Sequence, residues 1–178
     1  RLRQQAERFG VELLQAQEVA GIHQHGNYHC VKTGDGGAYS ARTLLIATGS
    51  RYKRLEVPGE TDYLGAGVHF CATCDGPFYK GKKVAVIGGG NSATEESLLL
   101  TKFAEQVTIL ARGEKFTASQ VIQEKVLNHP QIEVRWNTSV KSFEGADSKL
   151  NRLRVVDNQT GQEEELPVDG AFIFIGLI

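Results

Sequence analysis

A strand that runs straight into three glycines and then into a helix leaves a chain few architectures to choose from. Lys83-Val84-Ala85-Val86-Ile87 is a short apolar run, and Gly88-Gly89-Gly90-Asn91-Ser92-Ala93 follows at once. The run reads as a buried strand. The glycines fit G-x-G-x-x-A: the first permits a tight turn, the second lets a pyrophosphate approach the backbone, and a small final residue lets helix and strand pack closely. Ser92 to Phe103 then reads as a helix, with Leu98, Leu99 and Phe103 among its apolar positions, and Val107 to Leu110 as the next strand. This strand–turn–helix context separates the motif from a plain tight turn. It sets the positive end of the helix under an anionic group. The expectation is a β-α-β dinucleotide-binding unit.

The end of the second strand bears on which dinucleotide. NAD binders usually place Asp or Glu there, about 20 residues after the turn, for the ribose hydroxyls. Here the run is Leu110-Ala111-Arg112-Gly113-Glu114-Lys115. Arg112 comes first and suits a 2′-phosphate, with Glu114 as a nearby opponent, so NADP is favoured over NAD. The rival reading of Arg112 is a solvated surface charge.

Just upstream lies Cys71-Ala72-Thr73-Cys74-Asp75-Gly76. Two intervening residues in a first helical turn bring both sulfurs within bonding reach. A helix N-terminus stabilises the attacking thiolate. Asp75 is placed to exchange the proton. Half of a zinc site is the competing reading, but zinc takes four ligands and no second C-x-x-C exists, with His69 the only neighbour of the right type. His23, His25, His29 and Cys30 form a second cluster, read as strand histidines and a small core cysteine. No metal is expected.

Of 178 residues, 40% are hydrophobic and 23% charged, with a net charge of −1; this is ordinary globular material with no charge signature for nucleic acid. The longest apolar runs are too short to span a bilayer. One close cysteine pair and a lone Cys30 fit a reducing, cytoplasmic compartment. The sequence has no Met and reads as a piece from the middle of a longer protein.

The first part is strand-rich. Val11 to Leu14, Glu18 to His23, Tyr28 to Thr33 and Ala38 to Thr43 read as strands, with a hairpin turn at Gly34-Asp35-Gly36-Gly37. Leu44-Leu45-Ile46-Ala47 reads as a buried strand ending in Thr48-Gly49. Ser50 to Gly67, with Pro58-Gly59, reads as a linker or long loop. After the β-α-β unit come a helix capped by Ser119, then strands at Ile132 to Val134, Val140 to Phe143, Leu153 to Val156 and Gly170 to Ile175. Both halves thus carry a meander, a glycine hairpin and a last apolar strand ending in glycine (Gly49, Gly176). The fold expected is α/β: a Rossmann-like three-layer NAD(P)-binding domain with a β-meander over residues 67–178. Residues 1–66 are expected to be the second part of a similar nucleotide-binding domain, with its linker.

Taken together, C-A-T-C-D-G-P-F-Y, the strand, and G-G-G-N-S-A-T-E-E resemble low-molecular-weight thioredoxin reductases, and the resemblance runs over essentially the whole chain. Ala47-Thr48-Gly49 resembles the end of that family's FAD domain, and Phe172-Ile173-Phe174-Ile175-Gly176 the closing strand of its NADPH domain. The resemblance implies a homodimeric cytosolic flavoenzyme that passes electrons from NADPH through FAD to the dithiol and then to thioredoxin. It implies Cys74 as the flavin-facing sulfur, Cys71 as the sulfur exchanging with thioredoxin, and Asp75 as general acid/base. Gly88, Gly89, Gly90, Asn91, Ser92 and Ala93 would hold the NADPH pyrophosphate, Glu95, Ile175 and Gly176 would line the nicotinamide side, and Ala47, Thr48 and Gly49 would touch FAD.

One departure stands out. Where the family carries H-R-R-D-x-x-R after the second strand, this chain has Ala111-Arg112-Gly113-Glu114-Lys115-Phe116-Thr117, one arginine of three, with Lys115 as a substitute. Each lost charge-assisted phosphate contact costs roughly 1.5–3 kcal/mol, so NADH is the alternative donor. An NADH-dependent alkyl hydroperoxide reductase flavoprotein, a small-molecule dithiol oxidoreductase and a non-catalytic nucleotide-sensing module are the alternative functions. Paired thiols argue against the last. The family's flanking FAD motifs would lie outside residues 1–178, so the chain alone is expected to bind FAD weakly and to be inactive.

Overall fold

The computed structural model describes residues 1–178, which form two compact units, Arg1–Gly49 and Ser50–Ile178. In the first, a short helix α1 (Leu2–Arg8) precedes three antiparallel strands, β1 (Val19–His25), β2 (Tyr28–Thr33) and β3 (Ala38–Ala41). They pair in the order β1-β2-β3. The second turn is fixed by Asp35, whose Oδ1 accepts from the Thr33 hydroxyl at 2.6 Å and from the Gly37 amide at 3.1 Å. Residues 11–14 and 44–47 form no strand. Leu45 is 85% exposed and Ile46 64%. Both runs have strand composition, but neither finds a ladder partner in the chain, and an unpaired strand has no reason to extend.

The second unit has three layers. Its central sheet is parallel, in the order β4-β11-β5-β6-β7. The strands are β4 (Val68–His69), β5 (Lys83–Ile87), β6 (Gln106–Leu110), β7 (Ile132–Arg135) and β11 (Gly170–Ile173). Helix α3 (Asn91–Leu100) and helix α4 (Gln120–Leu127) cover one face. The meander β8 (Thr138–Ala146), β9 (Lys149–Asp157) and β10 (Glu163–Pro167) covers the other. Strand alternation sorts the core between the two faces. Val84, Val86, Val107, Ile109 and Phe172 meet Ala93, Leu100 and Val126 on the helix side. Ala85, Ile87, Leu110, Ala171 and Ile173 meet Val140, Phe143, Leu153 and Val155 on the meander side. This is the Rossmann-like arrangement with a β-meander expected from the sequence.

Residues 50–67 are no free linker but part of this second unit. Leu55, Val57, Tyr63 and Leu64 pack into the meander-side core. The Pro58 carbonyl accepts from the Phe143 amide at 2.9 Å. Glu60, only 1% exposed, closes the loop by accepting from the Glu56 amide at 2.7 Å and the Leu55 amide at 3.3 Å. The apolar residues in this run follow neither a strand nor a helix period, so the sequence hides them among polar neighbours. Arg51 and Ile178 exchange backbone hydrogen bonds at 3.0 and 2.9 Å, and the Lys53 amide reaches the Gly176 carbonyl at 3.0 Å. Residues 51–53 and 176–178 thus form one short antiparallel ribbon.

Candidate functional site

The cysteines sit on a single helical turn, α2 (Ala72–Asp75), which leads into a 3-10 turn at Gly76–Tyr79. Cys71 is the N-cap, with extended backbone, and its Sγ accepts from the Cys74 amide at 3.1 Å. The two are joined as a disulfide, with Cα atoms 5.3 Å apart, within the usual range for such a bridge. Cys71 is half-buried and Cys74 exposed. A sulfur that caps a helix already holds a donor that would stabilise a thiolate there, the arrangement that favours nucleophilic cysteine. Below the dithiol, Gly76 packs against Leu100 and Phe103, tying α2 to the far end of α3.

Asp75 closes α2, its side chain 31% exposed. Its Oδ2 lies 3.2 Å from Nδ1 of His69, at the end of β4. His69 Nε2 lies 2.6 Å from the Tyr79 hydroxyl. Both rings are buried. Burial lowers the His69 pKa from its usual 6.5, with the Asp75 charge and hydrogen bond opposing. Burial also pushes Tyr79 up to about 12, helped by the charges of Asp75 and Asp169. The sequence offered His69 only as a stray zinc neighbour. Its contact with Tyr79, ten residues on, has no sequence signal.

The second constellation is the glycine turn. Gly88 has φ +144°, and a Cβ there would drive into the Phe174 carbonyl and come within 2.9 Å of the Ala93 Cβ. That contact explains why Ala93 must be small. It also brings the turn against the segment holding Ile175 and Gly176. At Gly90, by contrast, a Cβ would meet only the Thr117 hydroxyl, at an ordinary contact distance of 3.7 Å, so packing within the chain does not demand a glycine there. Gly90 is the N-cap of α3 and offers no side chain to its first amides. A glycine that the chain's own packing does not require, at an uncapped helix N-terminus, fits a dinucleotide pyrophosphate.

The loop after β6 is strapped to this turn. The Thr117 amide donates to the Gly89 carbonyl at 2.8 Å, and the Ser119 amide donates to Asn91 Oδ1 at 2.8 Å. The strap carries Arg112 and Lys115, both exposed. The Arg112 carbonyl is held by Asn158 Nδ2 at 3.0 Å. Phe116 anchors the strap by packing on Trp136, ring centroids 4.5 Å apart. Asn91, Ser92 and Glu95 are exposed on the first turns of α3. The neighbouring Glu96, unremarked in the sequence, has a buried Oε2 without a partner, and burial raises its pKa, with Glu95 adding to the effect.

Ala47, Thr48 and Gly49 are exposed and irregular in the first unit, with nothing within 4 Å of a Cβ built on Gly49. His23 pairs with Cys30 and Gln24 with His29 across β1 and β2. Cys30 is not a core residue: it is partly exposed, its Sγ 3.3 Å from the Ser40 hydroxyl. No three His, Cys, Asp or Glu side chains converge to hold a metal ion.

The chain is 38% identical over 177 residues to the thioredoxin reductase of Treponema pallidum, covering 99% of this chain and 57% of that protein. It is 41% identical over 175 residues to the bifunctional thioredoxin reductase/thioredoxin of Mycobacterium leprae, covering 98% of this chain and 38% of that protein. Its fold matches the solved thioredoxin reductase of Giardia duodenalis at a TM-score of 0.85 and 32% identity, over 99% of this chain and 57% of that one. The chain therefore spans about half, or less, of the length of these relatives. The pyridine nucleotide-disulphide oxidoreductase profile matches residues 3–178, and with the C-x-x-C bridge and the glycine turn in one unit, the chain belongs to that family.

Proposed function

We propose that a protein of the relatives' full length carrying these residues reduces a protein disulfide, that of thioredoxin or a similar small dithiol protein, with electrons from NADPH. The observation that carries this reading is the occurrence, in one compact unit, of a helix-capping disulfide and a glycine turn at an uncapped helix N-terminus. Gly88 to Ala93 would hold the dinucleotide, with Arg112 and Lys115 at the 2′-phosphate and Glu95, Ile175 and Gly176 on the nicotinamide side. Ala47, Thr48 and Gly49 would contact FAD. When both groups are bound, they supply the two electrons that reduce the Cys71–Cys74 bridge.

The chain's own residues then act by thiol exchange. The Cys71 thiolate attacks one sulfur of the partner disulfide, forming a mixed disulfide and expelling a partner thiolate. That thiolate takes a proton from Asp75. The Cys74 thiolate next attacks Cys71, re-forming the bridge and expelling the second partner thiolate. The dithiol loses two electrons, the partner disulfide gains two, and the two thiol protons pass to the partner by way of Asp75. A dithiol poised for this exchange needs a reducing, cytoplasmic compartment, consistent with one cysteine pair and a third, unpaired Cys30. By the same family reading, the working unit is a homodimer. The Mycobacterium leprae relative, whose name joins reductase and thioredoxin, supports the choice of partner.

The test is steady-state reduction of thioredoxin by the full-length protein with and without Cys71→Ser. The reading requires turnover to fall by roughly three orders of magnitude or more. Unchanged turnover would show that electrons reach the partner by a route other than this dithiol, and absence of turnover in the unmodified protein would favour a nucleotide-sensing module.

A further inference from the structure

Tyr79, His69 and Asp75 form a directed chain that ends on the residue following Cys74. Asp75 Oδ2 lies 3.2 Å from His69 Nδ1, and a carboxylate oxygen there accepts, which calls for the proton on Nδ1. That leaves Nε2 as an acceptor, and the Tyr79 hydroxyl, 2.6 Å away, donates to it. Each group in the chain thus donates to the next, from Tyr79 through His69 to Asp75. The charged and titratable groups facing this chain are Asp75 itself, Asp169 near Tyr79, and Lys82, whose ammonium lies 5.6 Å from the Tyr79 ring centre. Burial, the largest influence on His69, favours its neutral form.

The packing gives these rings one arrangement. Phe172 meets His69 at 5.2 Å and Tyr79 at 5.4 Å between ring centres. A Cβ on Gly170 would strike the Tyr79 ring, so the glycine makes the space the phenol occupies. The imidazole cannot turn over without losing its buried hydrogen bond to Tyr79 and its approach to Asp75, and a buried polar atom left unpaired is costly.

We propose that His69 is a positioning residue for the disulfide exchange: fixed as the Nδ1–H tautomer by Tyr79, it pins Asp75 Oδ2 and leaves Oδ1 as the oxygen that gives and takes the proton. This rests on the exchange reaction proposed above. The step itself is unchanged in balance. The proton leaves Asp75 Oδ1–H for the expelled partner thiolate and is replaced from the Cys74 thiol as it becomes the attacking thiolate. His69 neither gains nor loses one. Aiming a single carboxylate oxygen removes alternative orientations from the proton-transfer geometry.

The test uses the full-length protein, with the small disulfide 5,5′-dithiobis(2-nitrobenzoate) and thioredoxin as probes. His69→Phe is expected to slow both reductions roughly ten-fold or more. His69→Asn, which keeps an amide donor near the Nδ1 position, is expected to recover most of that loss. In an Asp75→Asn background His69→Phe is expected to cost nothing further, because its effect passes through Asp75. Independently of turnover, ¹⁵N spectra of labelled histidine should show the Nδ1–H tautomer in wild type, and Tyr79→Phe should populate the Nε2–H form. An Nε2–H tautomer in wild type, or a His69→Phe loss that persists in full beside Asp75→Asn, overturns the proposal. Should His69→Phe fail to fold, the histidine spectra of wild type and Tyr79→Phe decide it. Cys71→Ser separates the two readings: if it leaves reduction intact, the exchange itself is wrong; if it abolishes reduction while the His69 results are additive, only the positioning role is.

Discussion

Phe172 lies across His69, ring centroids 5.2 Å apart and planes 30° from parallel. The phenylalanine is fully buried on β11, between β4 and β5, and also packs edge-on against Tyr79. One core residue thereby supports the strand that carries the closing segment and the polar groups behind the dithiol. Phe172→Ala is expected to cost about 3–5 kcal/mol, read as a fall in the urea midpoint without a large change in slope.

Gly88 and Gly90 differ in what they tolerate, and the difference separates folding from binding. Gly88→Ala places a methyl against the Phe174 carbonyl at a φ of +144°, and a loss of about 2–3 kcal/mol in stability is expected. Gly90→Ala meets only the Thr117 hydroxyl at 3.7 Å. Its melting temperature should stay near wild type. On the proposed site, its affinity for the dinucleotide should drop roughly ten-fold or more, because the methyl would crowd the backbone that the pyrophosphate approaches. Thermal melts beside a fluorescence titration with NADPH read both.

Arg112 is exposed on the strap that Thr117 and Ser119 tie to the glycine turn. If it meets the 2′-phosphate, Arg112→Ala raises KM for NADPH about ten-fold or more and leaves NADH nearly untouched. Equal effects on the two donors, or a wild-type preference for NADH, would make Glu114 rather than Arg112 the residue that selects the cofactor.

On the meander, Ser142, Arg152 and Arg154 hydrogen-bond the Glu144 carboxylate and hold its pKa down to about 2 from 4.5. The folded chain then binds fewer protons than the unfolded chain between those values. The stabilisation is complete above about 4.5 and is lost as pH falls toward 2. Glu144→Gln should remove this dependence, so the gap between wild-type and variant melting temperatures should narrow as pH is lowered through that window.

Sequence legibility followed the length of each periodic signal. The strand, glycine turn and helix from Lys83 to Leu100 lie where the pattern puts them, because local chemistry and tertiary packing agree there. Strand β10, Glu163–Pro167, was invisible: Glu163, Glu164 and Glu165 carry no strand propensity. What makes it a strand is β9 beside it, where Arg154 meets Glu165 at 3.1 Å. Leu44 to Ala47 errs the other way, with ideal composition and no partner. In the site, Cys71, Cys74 and the glycines announce themselves by spacing. His69 and Tyr79 do not, since only the register of β4 beside β11 and the turn after α2 bring them together.

The ribbon formed by residues 51–53 and 176–178 sets Arg51 and Ile178 side by side. A few glycines joining Ile178 to Ser50 should close the backbone into a ring that can be reopened at an exposed hairpin such as Asn158 to Gly161, giving permuted variants with the same core. With Arg51 and Ile178 side by side, residues 50–178 grafted into a host loop should leave the host's ends close together.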